Sequence, residues 1–217
     1  METTYNGRRF RSQLEAKWAI FFEKMDWEFD YEPALDLKGW IPDFILYAGK
    51  YIDSETGNIT QHKILVEVKP YSTCGNFHSM KLKIDRAIQG TEWEYTEVLF
   101  LGSSIFKSEF IKGDDDITDK GIIGWFYQIN HVQSYKNDMQ ISEYKRITSE
   151  AYPVALFPNT KTYHDLTDGD MFSRFHGYWD HNYGASYSFD WAHCLDYNEL
   201  KIIWNDASNE VQWKKTQ

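Results

Sequence analysis

KILVEVKP, residues 63–70, places a carboxylate and an ammonium two positions apart in an otherwise apolar run. Alternate residues of a strand face the same side. Ile64, Val66 and Val68 therefore share one face, and Leu65, Glu67 and Lys69 the other. The first face suits a core. The second sets Glu67 beside Lys69 just before Pro70, which cannot continue a ladder. Taken alone, the run reads as an edge strand with a solvated charge pair. The rest of the chain changes that reading.

The chain has 217 residues, 42% hydrophobic and 18% aromatic. That is enough for one large domain, or a domain with a sizeable extension. No run approaches the roughly 18–20 apolar residues of a membrane span. The opening METTYNGRRFRSQLE lacks an apolar signal region. Cys74 and Cys194 lie far apart with no finger spacing. These features predict a cytoplasmic protein with no membrane partner. The formal net charge of −10 argues against a nonspecific basic binder of nucleic acid. The charge is uneven: residues 1–90 hold 12 Lys+Arg against 13 Asp+Glu, and residues 91–217 hold 11 against 20. The acidity belongs to the second part of the chain.

Around the opening run the periodicity predicts further elements. SQLEAKWAIFFEKM, residues 12–25, has Leu14, Trp18, Phe21, Phe22 and Met25 at helical spacing, with Ser12 and Glu15 as a capping box. WEFDYEP is an alternating aromatic strand closed by Pro33. GWIPDFILYAG is a second strand opening at Pro42, and KYIDSETGNITQ a polar hairpin-like excursion turning at Gly57-Asn58. MKLKIDRAIQG has a short helical pattern stopped by Gly90, and TEVLFLGSS is a fully apolar strand of the buried type. The order is helix, three strands, helix, strand. Beyond it, IGWFYQINHV reads equally as a strand or a short helix, and IKGDDDITDKG as an acidic loop without the spacing of a calcium hand.

Four residues would meet on this arrangement. Glu15 lies in the first turn of the first helix, Asp43 heads the second strand, and Glu67 and Lys69 share a face of the third. If the second and third strands pair, Asp43 and Glu67 come within carboxylate-sharing distance. Two such carboxylates raise one another's pKa unless a cation joins them. Oxygen ligands with a few waters are what Mg²⁺ prefers. A metal held there lowers the pKa of a bound water and neutralises a phosphate oxygen. Lys69 would position or deprotonate that water, or stabilise the transition state.

The Pro42-Asp43 pair, the Glu67-Val68-Lys69 triplet with 23 residues between Asp43 and Glu67, and the preceding helix with YEP together resemble the PD-(D/E)xK phosphodiesterase superfamily. This is the fold of many restriction endonucleases, phage exonucleases and Holliday-junction resolvases. The resemblance covers about residues 8–104. It implies an α/β fold: an αβββαβ restriction-endonuclease-like core with a mixed central sheet flanked by helices. Residues 105–217 would be an aromatic-rich C-terminal elaboration packed on that core as one domain. It also implies Mg²⁺- or Mn²⁺-dependent cleavage of phosphodiester bonds, usually in DNA, including branched or single-stranded forms. Asp43 and Glu67 would be metal ligands, Lys69 the water-activating residue, and Glu15 an additional ligand or outer support. DNA- against RNA-directed and endo- against exonucleolytic action stay open at this point, and many relatives of this size work as dimers, so a homodimer is expected. A bacterial or phage-infected cytosol suits such a chain.

Other candidates carry two readings each. Arg8, Arg9 and Arg11 form a phosphate clamp or a solvated tail. Lys81 and Lys83 contribute to the site or face solvent. His78 follows the motif in a loop, where it touches substrate or is merely exposed. His176, His181, His193 and Cys194 lie close together but fit no zinc spacing. Ten aromatics between residues 172 and 204 stack bases or fill a core, and the core is the commoner use. The rival functional class is an acidic binding factor on a nuclease fold, its second part meeting a basic protein partner by mimicry of DNA charge.

Overall fold

The protein is described from a computed structural model. It covers residues 2–35, 37, 39–52, 59–72, 80–90, 95–107, 119–136, 140–148, 152–156, 175–176 and 195–213. The chain opens with a two-stranded hairpin, β1 (Thr3–Tyr5) and β2 (Arg8–Phe10). Asn6 (φ 48°) and Gly7 (φ 76°) turn it. Two successive positive φ values match the right-handed twist of a two-residue hairpin, and Asn-Gly supplies them at low steric cost.

Helix α1 (Gln13–Lys24) follows, with Ser12 as N-cap accepting from the Glu15 backbone N–H at 3.1 Å. Strands β3 (Phe29–Tyr31), β4 (Phe44–Ile52) and β5 (Ile59–Val68) come next. Helix α2 (Lys81–Ala87), extended by a 3₁₀ turn over Ile88–Gly90, leads to β6 (Tyr95–Lys107). The predicted order of helix, three strands, helix and strand is therefore observed. The chain continues through β7 (Gly121–Lys136), β8 (Gln140–Thr148), β9 (Tyr152–Leu156), β10 (Phe175–His176) and α3 (Tyr197–Trp213). IGWFYQINHV, ambiguous in sequence, lies wholly in strand β7. The turn expected at Gly57-Asn58, the acidic run, His78, His181, His193 and both cysteines lie outside the described residues.

Among the described residues the strands after the hairpin join in one sheet, in the order β10-β9-β7-β6-β5-β4-β3, with β8 also pairing with β7. Only β5 and β6 run parallel, with α2 as their crossover, so the sheet is mixed. Strand β5 is interior, with β4 on one side and β6 on the other. The edge-strand reading of residues 63–70 fails here: Glu67 is only 3% exposed.

Both faces of the sheet are covered. On one, Ile64, Val66 and Val68 pack with Phe44, Leu46, Leu99 and Leu101 against α1 and α3. On the other, Leu65 packs with Ile45, Val98 and Phe100 against Ile84 and Ala87 of α2. The period-two alternation thus sorts each strand's side chains between two cores. Leu200, Trp204, Ala207 and Val211 recur at helical spacing along the buried face of α3. The Trp204 ring lies 4.4 Å from that of Trp18, and Trp18 Nε1 donates to the Gly102 carbonyl at 2.9 Å. Of the ten aromatics between residues 172 and 204, Trp204 is a core residue. No helix is long and apolar enough to cross a membrane among the described residues.

Trp204→Ala tests how far the first core depends on α3. Removing so large a buried side chain is expected to cost about 3–5 kcal/mol. The cost would be read as a lowered urea midpoint at unchanged m-value; a loss below about 1 kcal/mol would contradict the packing described.

Candidate functional site

The backbone fixes Asp43 before its side chain does anything. Asp43 N donates to Val66 O at 2.8 Å, and Asp43 O accepts from Glu32 N at 2.9 Å. The residue is therefore stitched between the end of β5 and the chain leaving β3. Its carboxylate then accepts from the Val68 backbone N–H at 2.7 Å through Oδ2. Lys69 is anchored in turn by its own N–H, which donates to Leu101 O of β6 at 3.0 Å. Pro70 follows and ends the strand, as its missing N–H requires.

These constraints bring Asp43, Glu67 and Lys69 together. Lys69 Nζ lies 2.5 Å from Glu67 Oε1, 3.1 Å from Val68 O and 3.5 Å from Asp43 Oδ2. Three oxygens thus converge on one ammonium. The side chains of Asp43 and Glu67 are 3% and 4% exposed, that of Lys69 31%. Burial, and then the charge of Glu67, push Asp43 up to about 6, against the opposing pull of Lys69 and of the Val68 N–H. Burial alone would lower the Lys69 ammonium, but Glu67 and Asp43 outweigh it and the net shift is upward. Lys69 is held as a cation.

Glu15 stands apart from this trio. It belongs to α1, on the opposite face of the sheet from Leu65 and Glu67. Its carboxylate accepts from Tyr31 Oη at 2.6 Å and from Ser12 Oγ at 2.9 Å. The link between the two groups is Arg11. Its guanidinium pairs with Asp43, lies 2.6 Å from Glu32 and 3.8 Å from Glu15. Burial opposes the Arg11 charge, and Asp43 and Glu15 restore it, for a net upward shift. Tyr31, which accepts from the Arg11 N–H at 2.9 Å, is pushed up to about 12 by burial and by its bond to Glu15.

The other basic candidates divide. Arg9 pairs with Glu2, and Arg8 sits over the Phe29 ring at 5.5 Å. Lys81 pairs with Asp85 of its own helix at 2.8 Å, and Lys83 is exposed. Only Arg11 of the five joins the carboxylates. Two contributors escaped the sequence reading. Glu32 completes the Arg11 cluster. Trp40 donates from Nε1 to Glu67 Oε2 at 2.8 Å, buried.

No group of three or more His, Cys, Asp or Glu is placed to hold a metal ion among the described residues. The chemistry is that of a two-carboxylate site. Asp43, Glu67, Glu15 and Glu32 carry four negative charges against two positive ones on Arg11 and Lys69. The remaining −2, and a donor set made only of oxygen, fit a hard divalent cation that completes its shell with waters or substrate oxygens.

A raised carboxylate pKa has a definite sign in stability. Asp43 contributes most below the unfolded value near 3.8, and the contribution is lost as pH rises through about 6. Wild type is therefore expected to lose stability relative to Asp43→Asn between pH 4 and 6.5, measured by urea unfolding at low salt without divalent ions. A difference that stays constant or moves the other way would contradict the burial of this carboxylate. In comparison with known protein families, with curated proteins and with solved structures, the chain matches none, so the reading of this site rests on its own residues.

Proposed function

We propose that the protein is a metal-dependent nuclease that hydrolyses phosphodiester bonds in DNA. In this reading α1, β3, β4, β5, α2 and β6 form the αβββαβ core of the PD-(D/E)xK superfamily, and Asp43, Glu67 and Lys69 are its motif residues. The observation that carries the reading is the convergence of two buried carboxylates, a backbone carbonyl and a lysine at one end of the sheet. A binding module needs no such trio. Burying two like charges side by side costs stability, which a folded protein tolerates where function requires it.

Each residue then has a distinct task. Asp43 and Glu67, with the Val68 carbonyl, would hold Mg²⁺ or Mn²⁺. When bound, the cation lowers the pKa of a water and neutralises charge on the phosphate. Lys69, kept charged by its neighbours, orients the attacking water and stabilises the negative charge of the pentavalent transition state. The water oxygen bonds to phosphorus as the bond to the leaving sugar oxygen breaks. The two protons end on the leaving oxygen and on solvent, giving a phosphomonoester and an alcohol. Arg11, half-exposed beside Asp43, would meet the incoming phosphate as a cation. Glu15 and Tyr31 keep Arg11 in place. Arg8, Arg9, Lys81 and Lys83 have no part in this scheme.

The test is cleavage of labelled linear, single-stranded, supercoiled and branched DNA with Mg²⁺, Mn²⁺ or EDTA. Cutting is expected with either metal and not with EDTA. Asp43→Ala, Glu67→Ala and Lys69→Ala should each reduce it by on the order of 10²-fold or more with the fold intact. Full activity in any of the three sinks the assignment. A folded wild type that cuts nothing but binds a basic protein in a salt-sensitive way favours the acidic binding factor instead.

A further inference from the structure

We infer that Trp40 is a positioning residue for Glu67, an inference that rests on the metal-dependent reading above. Glu67 has two carboxylate oxygens, and each is committed. Oε2 accepts from Trp40 Nε1 at 2.8 Å, and Oε1 faces Lys69 Nζ at 2.5 Å. The indole N–H is a donor only, so it cannot swap roles or carry a proton away. Holding Oε2 fixes the rotation of the carboxylate and leaves Oε1 as the oxygen turned to the shared cation position.

Trp40 can do this because it is itself fixed from elsewhere. Its backbone N–H donates to Leu37 O at 3.2 Å across a short turn. Gly39 has φ +90° in that turn, a conformation that side chains rarely adopt. The indole is 1% exposed and packs with Leu37, Ile45, Leu65, Ile84 and Ile88. The core between the sheet and α2 thereby sets the position of a site carboxylate. The neighbouring Pro42-Asp43 places the other carboxylate, so Trp40 and Asp43, three residues apart, orient one ligand and supply the second. Partners that orient ligands from outside typically change metal affinity by about 10–100-fold when removed.

Trp40→Phe keeps an aromatic ring and removes the donor, leaving Oε2 buried without its partner. Val98→Ala disturbs the same core from β6, away from Trp40 and Glu67. Mn²⁺ affinity, measured by the electron spin resonance of free Mn²⁺, is expected to fall about 10–100-fold in Trp40→Phe and to stay within about threefold of wild type in Val98→Ala. An affinity of Trp40→Phe within about twofold of wild type overturns the inference. So does an equal loss in Val98→Ala, because packing alone then accounts for it. If wild type binds no Mn²⁺, the metal-dependent reading itself falls and takes the inference with it. Should Trp40→Phe not fold, the wild-type indole N–H signals decide. The resonance that shifts in Glu67→Gln should be broadened first by substoichiometric Mn²⁺, and its insensitivity to Mn²⁺ would overturn the inference.

Discussion

The ammonium of Lys69 sits where Glu67, Asp43 and the Val68 carbonyl meet, and it offsets part of the cost of burying both carboxylates. An isolated carboxylate out of water costs far more than a fold of this size can spare, unless charge and hydrogen bonds compensate. Here the compensation is divided. Asp43 takes the Val68 N–H, Lys69 and Arg11; Glu67 takes Lys69 and the Trp40 indole. Remove Lys69 and two like charges face each other in an interior of low polarity. Burial still pushes Asp43 up to about 6 against these partners.

The sheet explains why the cost is incurred at this point. Because β5 lies inside the sheet and helices cover both faces, any charged group on it must lie near a strand end to reach water. Glu67 and Lys69 occupy that end, and Pro70 opens the ladder beyond them. The antiparallel partner β4 delivers Asp43 to the same end from the opposite direction. Parallel pairing with β6 holds Lys69 through Leu101. The site is thus a product of register. A one-residue slip of β5 would carry Glu67 and Lys69 to the α1 face.

Much of this was legible in sequence, for reasons that can be named. The helix at 12–25 carries its cap and its apolar spacing together, and both signals agree. The alternation in KILVEV sorts residues to faces whatever the neighbours are. Its solvated, edge-strand interpretation failed because alternation says nothing about whether the polar face is covered; that depends on α2 and β6, far along the chain. IGWFYQINHV was ambiguous because a short apolar run has no decisive period. Asn6-Gly7 is a strong hairpin pair, but its flanking strands are only three residues each, too short to show an alternation. Three arginines in a row of four positions give no direction, and only the tertiary arrangement sends Arg9 to Glu2, Arg8 to Phe29 and Arg11 to the carboxylates. Trp40 reaches Glu67 across 27 residues, a contact set by the Leu37–Trp40 turn and by no local pattern.

The central claim is that the position occupied by the Lys69 ammonium is a cation site of a nuclease, with Asp43 and Glu67 as its carboxylates. Crystals soaked in Mn²⁺ and measured near the manganese absorption edge test it directly. The account predicts an anomalous peak within bonding reach of Asp43 and Glu67, with Lys69 Nζ moved aside. An absence of manganese there at millimolar soak, with Lys69 still bridging the carboxylates, would contradict it.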